Sequence, residues 1–253
     1  MLSLLLTGVT SGIGRVVLRR SLEDGHTVSA VVRNAQQRTE LLHRHSDRLQ
    51  VHVADLADRA AVRNFVDGAK GTAFDIILLN AGCAKVGRFH RLAEQTMDDI
   101  METNLLTNMR IVHGMMPAIQ AHGTKIVFVS SIVARMPGRE YASYAVSKAG
   151  LSQFYNAVSL EYPDLPLLCV EIGPVDTPFH DKADLKIEKK SMFKPQELIG
   201  NRLYEAMLTR TGITTLAADW ALVRKVAMVF EDAIVALQRW RRRRSETGST
   251  TGD

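Results

Sequence analysis

The chain has 253 residues, is 46% hydrophobic and carries a formal net charge of +5, which gives it length and apolar content for a full core of the size common in one doubly wound α/β domain. Residues 239–253 hold Arg239 and Arg241 to Arg244 against Glu246 and Asp253, a balance of +3, so residues 1–238 carry only +2 and a nucleic-acid-binding body is excluded. Two cysteines, Cys83 and Cys169, are too few for a disulfide scaffold and too far apart for a metal knuckle, so no metal is expected, and no run of 18 apolar residues is present for a membrane span.

In chain order, short apolar runs alternate with longer helical patterns. "LSLLLTG" reads as a buried strand followed by a helix from about Gly12 to Asp24. It lacks a basic leader region and runs straight into a glycine loop, so it is read as a strand and not as a signal peptide. "HTVSAVVR" is the next strand, then a polar helical segment rich in His and Arg. "LQVHVADL" is a third strand, with a helix from about Arg59 to Gly68. "FDIILLNAG" is a fourth, before a long helical region from about Thr96 to Ala121. "TKIVFVSS" is a fifth, before a helix from about Tyr141 to Glu161, and "LPLLCVEIG" is a sixth. Strands this uniformly apolar are covered on both faces, and their alternation with helices predicts right-handed crossovers and a parallel sheet. The expected fold is therefore a doubly wound, Rossmann-type α/β single domain over residues 1–238.

After Pro178 the pattern loosens into a polar and basic insertion, about residues 178–195, until Pro195 opens a helix to about Thr209. An insertion after a strand's C-terminal end lies where ligands bind in open α/β sheets. From Asp219 to Trp240 apolar residues recur near helical spacing, and packing on the body or on a second subunit is the expected use. Its basic end leaves contact with an anionic membrane surface as the alternative. Residues 241–253 read as a disordered tail.

"LLLTGVTSGIG" places Gly8, Gly12 and Gly14 directly after the first strand and into the first helix. In that context the glycines give a tight turn, a close backbone approach to a pyrophosphate and close helix packing, with the helix N-terminus offering amides to phosphate. In "SSIVARMPGREYASYAVSKAG", Tyr144 and Lys148 stand four apart and so share one helical face, with Ser131 upstream at a strand end. Taken alone, a Tyr-x-x-x-Lys pair is more often a half-buried tyrosine beside a surface lysine.

Residues 7–14, "TGVTSGIG", match Thr-Gly-x-x-x-Gly-x-Gly, the fingerprint of the short-chain dehydrogenase/reductase family, and the chain resembles that family over roughly residues 1–210. "NAG" at Asn80 to Gly82, Asp55 in "VADL", Asn104 in "ETNLL", Ser131 thirteen residues before Tyr144, and "IGPVDT" at 172–177 continue the match, with Leu79 and Ile172 as departures. The resemblance implies a nicotinamide-dependent oxidoreductase acting on a carbonyl or secondary alcohol. Its implied catalytic residues are Asn104, Ser131, Tyr144 and Lys148. Tyr144 is the acid, Ser131 orients the substrate oxygen, Lys148 holds the nicotinamide ribose and favours the phenolate, and Asn104 bends its helix and holds a water. Implied cofactor contacts come from Thr7, Gly8, Ser11, Gly12, Ile13, Gly14, Arg33, Asp55, Leu56, Asn80, Ala81, Gly82, Tyr144, Lys148, Gly173, Val175 and Thr177.

The second strand ends "SAVVRN", with no acid to select NAD and with Arg33 placed to pair with a 2′-phosphate. NADP(H) is the expected cofactor, and NAD(H) stays open because Ser11 stands where relatives often carry a second basic residue. Cys83, Phe89, Val133, Met136, Pro137 and Tyr141 neighbour the catalytic segments and could line a substrate pocket. Lys182, Lys186, Lys189, Lys190 and Lys194 could attract an anionic substrate or a carrier-protein phosphopantetheine. A small-molecule carbonyl or alcohol substrate, a homodimer or homotetramer and a cytoplasmic setting are expected. A reductase of carrier-bound ketones and a non-catalytic dinucleotide sensor are the alternatives.

Overall fold

Seven parallel strands make one sheet in the computed structural model, whose described residues are 1–44, 47–136, 138–183 and 193–216. They begin with β1 (Ser3–Thr7), β2 (Thr27–Val32), β3 (Leu49–Val53), β4 (Ile76–Leu79), β5 (Lys125–Ser131) and β6 (Leu167–Ile172). A two-residue parallel ladder outside the sheet pairs β7 (Val175–Asp176) with β8 (Lys194–Pro195), and β9 (Gly212–Leu216) completes the sheet beside β6. The order β3-β2-β1-β4-β5-β6-β9 runs one way from β1 to β3 and the other way from β4 onward. The C-terminal ends of β1 and β4 therefore flank the point where the winding reverses, which is where open α/β sheets leave a crevice.

The uniform apolarity of the strands has the predicted cause. Leu4, Leu6, Ile76, Leu78, Val127 and Val129 face one core, shared with Val17 and Leu18 of α1 (Gly12–Glu23). Leu5, Ile77, Leu79, Ile126 and Phe128 face the other, shared with Val62 and Phe65 of α3 (Arg59–Ala69). Between these two helices α2 (Ala35–Arg44) starts at Asn34, whose Oδ1 accepts the Gln37 amide at 3.0 Å and so caps the helix.

Most predicted boundaries hold to within two residues, and three features depart from them. The long region expected from Thr96 to Ala121 is α4 (Glu94–Met101), one π-helical turn (Glu102–Leu106) and α5 (Thr107–His122), so the bend falls at Asn104. The helix of Tyr144 is α6 (Ala142–Glu161), and the insertion after Pro178 begins with a short helix, α7 (Phe179–Lys182). Beyond α8 (Gln196–Thr209) the edge strand β9 was not expected: "GITTL" is short and mostly half-exposed, so it carries no apolar run. The helical pattern read at Asp219 to Trp240 and the basic tail lie outside the described residues, as do Lys186, Lys189 and Lys190. Among the described residues no helix is long and apolar enough to cross a membrane.

Candidate functional site

The glycine loop is built by two side chains at the ends of neighbouring strands. Thr7 Oγ1 accepts the amides of Asn80 and Ala81, both at 3.0 Å, and donates to Leu78 O at 3.2 Å. Asn80 Nδ2 donates back to Thr7 O at 3.2 Å and Gly8 O at 3.0 Å. The loop after β1 and the loop after β4 thus form one hydrogen-bonded unit. Gly8 and Gly12 take φ of +68° and +57°, the left-handed region that favours glycine. Gly14 has a different reason: a Cβ there would lie 2.0 Å from Gly8 O. The close approach expected of it is to the loop's own backbone.

A cavity of about 620 Å³ runs across this crevice, lined at one end by Gly8, Ser11, Gly12 and Ile13 and further along by Arg33, Asp55, Leu56, Ala81 and Gly82. This volume and shape are those of a ligand site. Asn80 also lines it, as do Ser131, Tyr144, Lys148, Gly173, Val175 and Thr177, with Thr177 beside Gly12 and Gly82 beside Lys148. Three expected residues, Thr7, Gly14 and Asn104, are not on its wall; they stand behind it and hold the residues that are. At the end of β2, Arg33 Nε lies 3.7 Å from Asp55 Oδ1, while the Arg33 amide donates to Gln37 Oε1 at 2.9 Å. Both charged side chains are exposed, so the pair stays free to rearrange around an anion. Gln37 and Thr10 line the cavity as well and went unread in the sequence, because neither sits in a recognisable spacing.

The reactive end is fixed by the join between β5 and α6. Ser130 Oγ lies 2.7 Å from Ser152 Oγ and donates to Lys148 O at 3.2 Å, which ties the helix to the strand end. Ser131, Tyr144 and Lys148 are thereby brought together on one wall, as their spacing predicts. Lys148 is only 4% exposed and donates from Nζ to Val129 O at 2.9 Å. Burial lowers its pKa to about 8. Burial raises the Tyr144 phenol to about 12, and a hydrogen bond with Ser131 opposes part of that shift. The expectation that Lys148 draws the phenol down is not met, because the ammonium is directed to Val129 O and lies 6.0 Å from the ring centroid. Ser131 Oγ donates its proton to Ile172 O at 3.2 Å and accepts the Val133 amide at 3.4 Å.

Asn104 is fully buried in the π-turn. Its Oδ1 accepts the Cys83 amide at 2.8 Å, and its Nδ2 donates to Cys83 O and Ser147 Oγ, both at 2.9 Å. Ser147 Oγ in turn donates to Tyr144 O at 2.8 Å. The side chain therefore clamps the loop after β4 to the turn of α6 that carries Tyr144. Its carbonyl, freed by the wide turn, accepts Asn108 Nδ2 at 2.8 Å.

Loops roof the cavity. The Val86 amide donates to Ala183 O at 2.8 Å and the Gly87 amide to Glu140 O at 3.0 Å. Cys83, Val133 and Tyr141 line it as expected, whereas Phe89 is 61% exposed and, like Met136, lies off the wall; Pro137 is outside the described residues. Ile132, Phe179, His180, Ala183 and Phe193 complete that end; Ile132 stands between Ser131 and Tyr144, whereas His180, Ala183 and Phe193 follow the last motif. Glu140 is the one described non-glycine residue with positive φ, at 67°. Glu140→Gly is expected to raise stability by roughly 0.5–1 kcal/mol in chemical denaturation, because the left-handed conformation costs a side-chain-bearing residue about 1–2 kcal/mol and the added freedom of unfolded glycine offsets part of that gain. A loss of stability would show that the Glu140 side chain matters more than its backbone.

Residues 3–188 match the family model described as short chain dehydrogenase. The chain is 25% identical over 193 residues to nodulation protein G of Rhizobium sp. (strain N33), covering 74% of this chain and 79% of that one. It is 31% identical over 162 residues to the 3-oxoacyl-[acyl-carrier-protein] reductase FabG of Escherichia coli (strain K12), covering 62% and 66%. In fold it is similar to a short chain dehydrogenase from Burkholderia cenocepacia J2315 in complex with NADP, with a TM-score of 0.79 at 20% identity over 93% of this chain and 96% of that one. A short-chain dehydrogenase from Sphingobium yanoikuyae in complex with NADPH gives 0.77 at 21% identity over 92% and 96%.

Proposed function

Because the chain belongs to the short chain dehydrogenase family and is an oxidoreductase of that family, we propose that it reduces a carbonyl, or oxidises the matching secondary alcohol, with NADP(H) as its favoured cofactor. The observation that carries this reading is the meeting of Ser131, Tyr144 and Lys148 in one cavity with the glycine loop. The cradle fits a dinucleotide: Gly8, Ser11, Gly12 and Ile13 line the cavity, Gly8 and Gly12 at positive φ, and Ser11 to Ile13 turn the N-terminus of α1 toward it. Gly8, Ser11, Gly12 and Ile13 would hold the pyrophosphate and Asp55 and Leu56 the adenosine, while Asn80, Ala81 and Gly82 would line the path from the glycine loop to Lys148. Lys148, Gly173, Val175 and Thr177 would hold the nicotinamide end. When bound, the nicotinamide supplies or accepts the hydride.

The protein's own part is proton control and placement. Tyr144 donates its phenolic proton to the carbonyl oxygen, and a group held near pKa 12 is fully protonated at neutral pH. Ser131 hydrogen-bonds the same oxygen and turns it toward the phenol. Lys148, held near pKa 8 and so mostly charged at neutral pH, keeps its ammonium on Val129 O, 6.0 Å from the Tyr144 ring centroid, where its charge favours the phenolate that forms. Thr7, Gly14 and Asn104 are positioning residues. Consumption of NADPH with a diverse ketone and aldehyde panel tests the reading, and no consumption with any member refutes it. Cytoplasmic residence, as a homodimer or homotetramer, belongs to the same proposal.

NADPH is expected to bind more tightly than NADH in titration calorimetry, and Arg33→Ala to narrow the gap by roughly 1–3 kcal/mol, the range for a hydrogen bond to a charged partner. Supporting this are the exposed Arg33 guanidinium at the cavity edge and the absence of an acid at the end of β2. Tighter NADH binding in the wild type would overturn it. A second reading, reduction of a carrier-bound ketone, is favoured by the name of the Escherichia coli relative.

A further inference from the structure

The side of the cavity that follows β6 is fastened from the insertion. Gly173, Pro174, Val175 and Thr177 line the cavity, and Thr177 reaches the glycine loop: a Cβ added to Gly12 would lie 3.3 Å from Thr177 Cγ2. Three carbonyls of this stretch accept hydrogen bonds from residues beyond it. Pro174 O takes the Lys194 amide at 3.1 Å, Thr177 O takes the His180 amide at 3.3 Å, and Val175 O lies 2.8 Å from His180 Nε2. A carbonyl only accepts, so Nε2 carries the proton and His180 is the donor in two of the three. The amide bond is open to most residue types, but the ring bond needs a side-chain donor. The ring is also braced, because Phe179 meets it edge-on at 5.7 Å and Phe193 at 4.9 Å, centroid to centroid. Phe179 in turn lies 5.7 Å from the Tyr144 ring, so Tyr144, Phe179, His180 and Phe193 form one aromatic wall. The β7–β8 ladder has only two residue pairs, Val175 with Lys194 and Asp176 with Pro195, and Pro195 has no amide to donate. So short a ladder leaves much of the fixing of Val175 to His180.

We propose that His180 is a positioning residue for the nicotinamide end of the cofactor, holding the Val175 carbonyl, and with it the stretch from Val175 to Thr177, through its Nε2 proton. This rests on the cofactor placement proposed above, in which Val175 and Thr177 hold that end, and adds the residue that holds them. The bond counts for more than an exposed one, because Val175 is only 6% exposed and removing the donor leaves its carbonyl short of a partner. The adenosine end is fastened separately. Asp55 and Leu56 follow β3, and the loops after β1 and β4 are joined by Thr7 and Asn80. Loss of the His180 donor therefore acts on the nicotinamide end alone.

The test is calorimetry on the full chain with two probes, NADPH and adenosine 2′,5′-bisphosphate, which keeps the adenosine and the 2′-phosphate and lacks the nicotinamide. His180→Phe keeps a ring against Phe179 and Phe193 and removes the donor. His180→Gln keeps an N–H donor at similar reach and removes the ring. His180→Phe is expected to weaken NADPH binding by about 10-fold and to change bisphosphate binding by less than about 2-fold. His180→Gln is expected to bring NADPH affinity back to within about 3-fold of wild type. Unchanged NADPH binding in the Phe variant overturns the positioning role. An equal loss with both probes overturns it too, since that marks a general loosening of the fold. So does a Gln variant as weak as the Phe variant, because the hydrogen bond is then not the cause. These three outcomes leave the reductase reading standing, which is decided by turnover. A wild type that binds neither probe overturns the cofactor placement and this proposal together. One that binds NADPH but reduces no ketone refutes the reductase reading, and the His180 affinities still decide this proposal.

Discussion

Tyr144→Phe is expected to leave folding and cofactor binding intact and to lower turnover at least ~10²-fold, the scale of a positioned general acid. The ring stays, so the contacts with Tyr141 and Phe179 stay, and only the proton donor is removed. Because burial holds the phenol near pKa 12, the acid form is present throughout the neutral range. Carbonyl reduction therefore draws on a protonated group and changes little between pH 6 and 8 on account of Tyr144. Alcohol oxidation needs the phenolate, whose fraction grows tenfold per pH unit below the pKa, so in the wild type it rises with pH. In the Phe variant that rise disappears along with the rate. Turnover within a factor of a few of wild type would remove Tyr144 from the chemistry, and an oxidation rate flat in pH would remove it as the titrating base.

The motifs were legible because each is a short local pattern tied to one strand end. Gly8, Gly12, Tyr144 and Lys148 could be placed from spacing alone, since loop φ and helical periodicity are local properties. What spacing cannot give is which residue faces a ligand and which stands behind it. Thr7 and Asn104 read like contact residues, yet each spends its polar atoms elsewhere, Thr7 on the backbone of residues 78, 80 and 81 and Asn104 on the backbone of Cys83 and the Ser147 hydroxyl. The titration of Tyr144 was read with the wrong sign for a similar reason: an ammonium four residues away is visible in sequence, but the desolvation that outweighs it comes from the fold. The aromatic wall was missed because Phe179, His180 and Phe193 belong to a segment without periodicity, joined only by the β7–β8 pairing. Gly200 was missed too. It lies inside α8 because a Cβ there would come within 2.5 Å of Val16 Cβ on α1.

Gly14→Ala is expected to destabilise the protein by about 3 kcal/mol or more and to weaken NADPH binding at least ~10²-fold, although alanine is the better helix former by about 1 kcal/mol. Gly14 sits in the first turn of α1 with an ordinary negative φ, so conformational strain is not the cause. Contact is the cause: the added Cβ would lie 2.0 Å from Gly8 O, 2.9 Å from Gly8 C and 2.5 Å from Asn80 Nδ2. Two of these three are backbone atoms, so no rotamer change relieves them. Moving Gly8 O away breaks its 3.0 Å hydrogen bond from Asn80 and with it the join between the loops after β1 and β4. Both loops line the cavity proposed to hold the cofactor, so stability and cofactor affinity are expected to fall together. Gly68, in α3, is the control. A Cβ there meets nothing within 4 Å, so Gly68→Ala is expected to gain roughly 0.5–1 kcal/mol from helix propensity and reduced unfolded-chain entropy. Chemical denaturation of both variants, with NADPH titration of Gly14→Ala, measures the contrast. A Gly14→Ala protein within 1 kcal/mol of wild type, binding NADPH normally, would show that the two loops separate without harm.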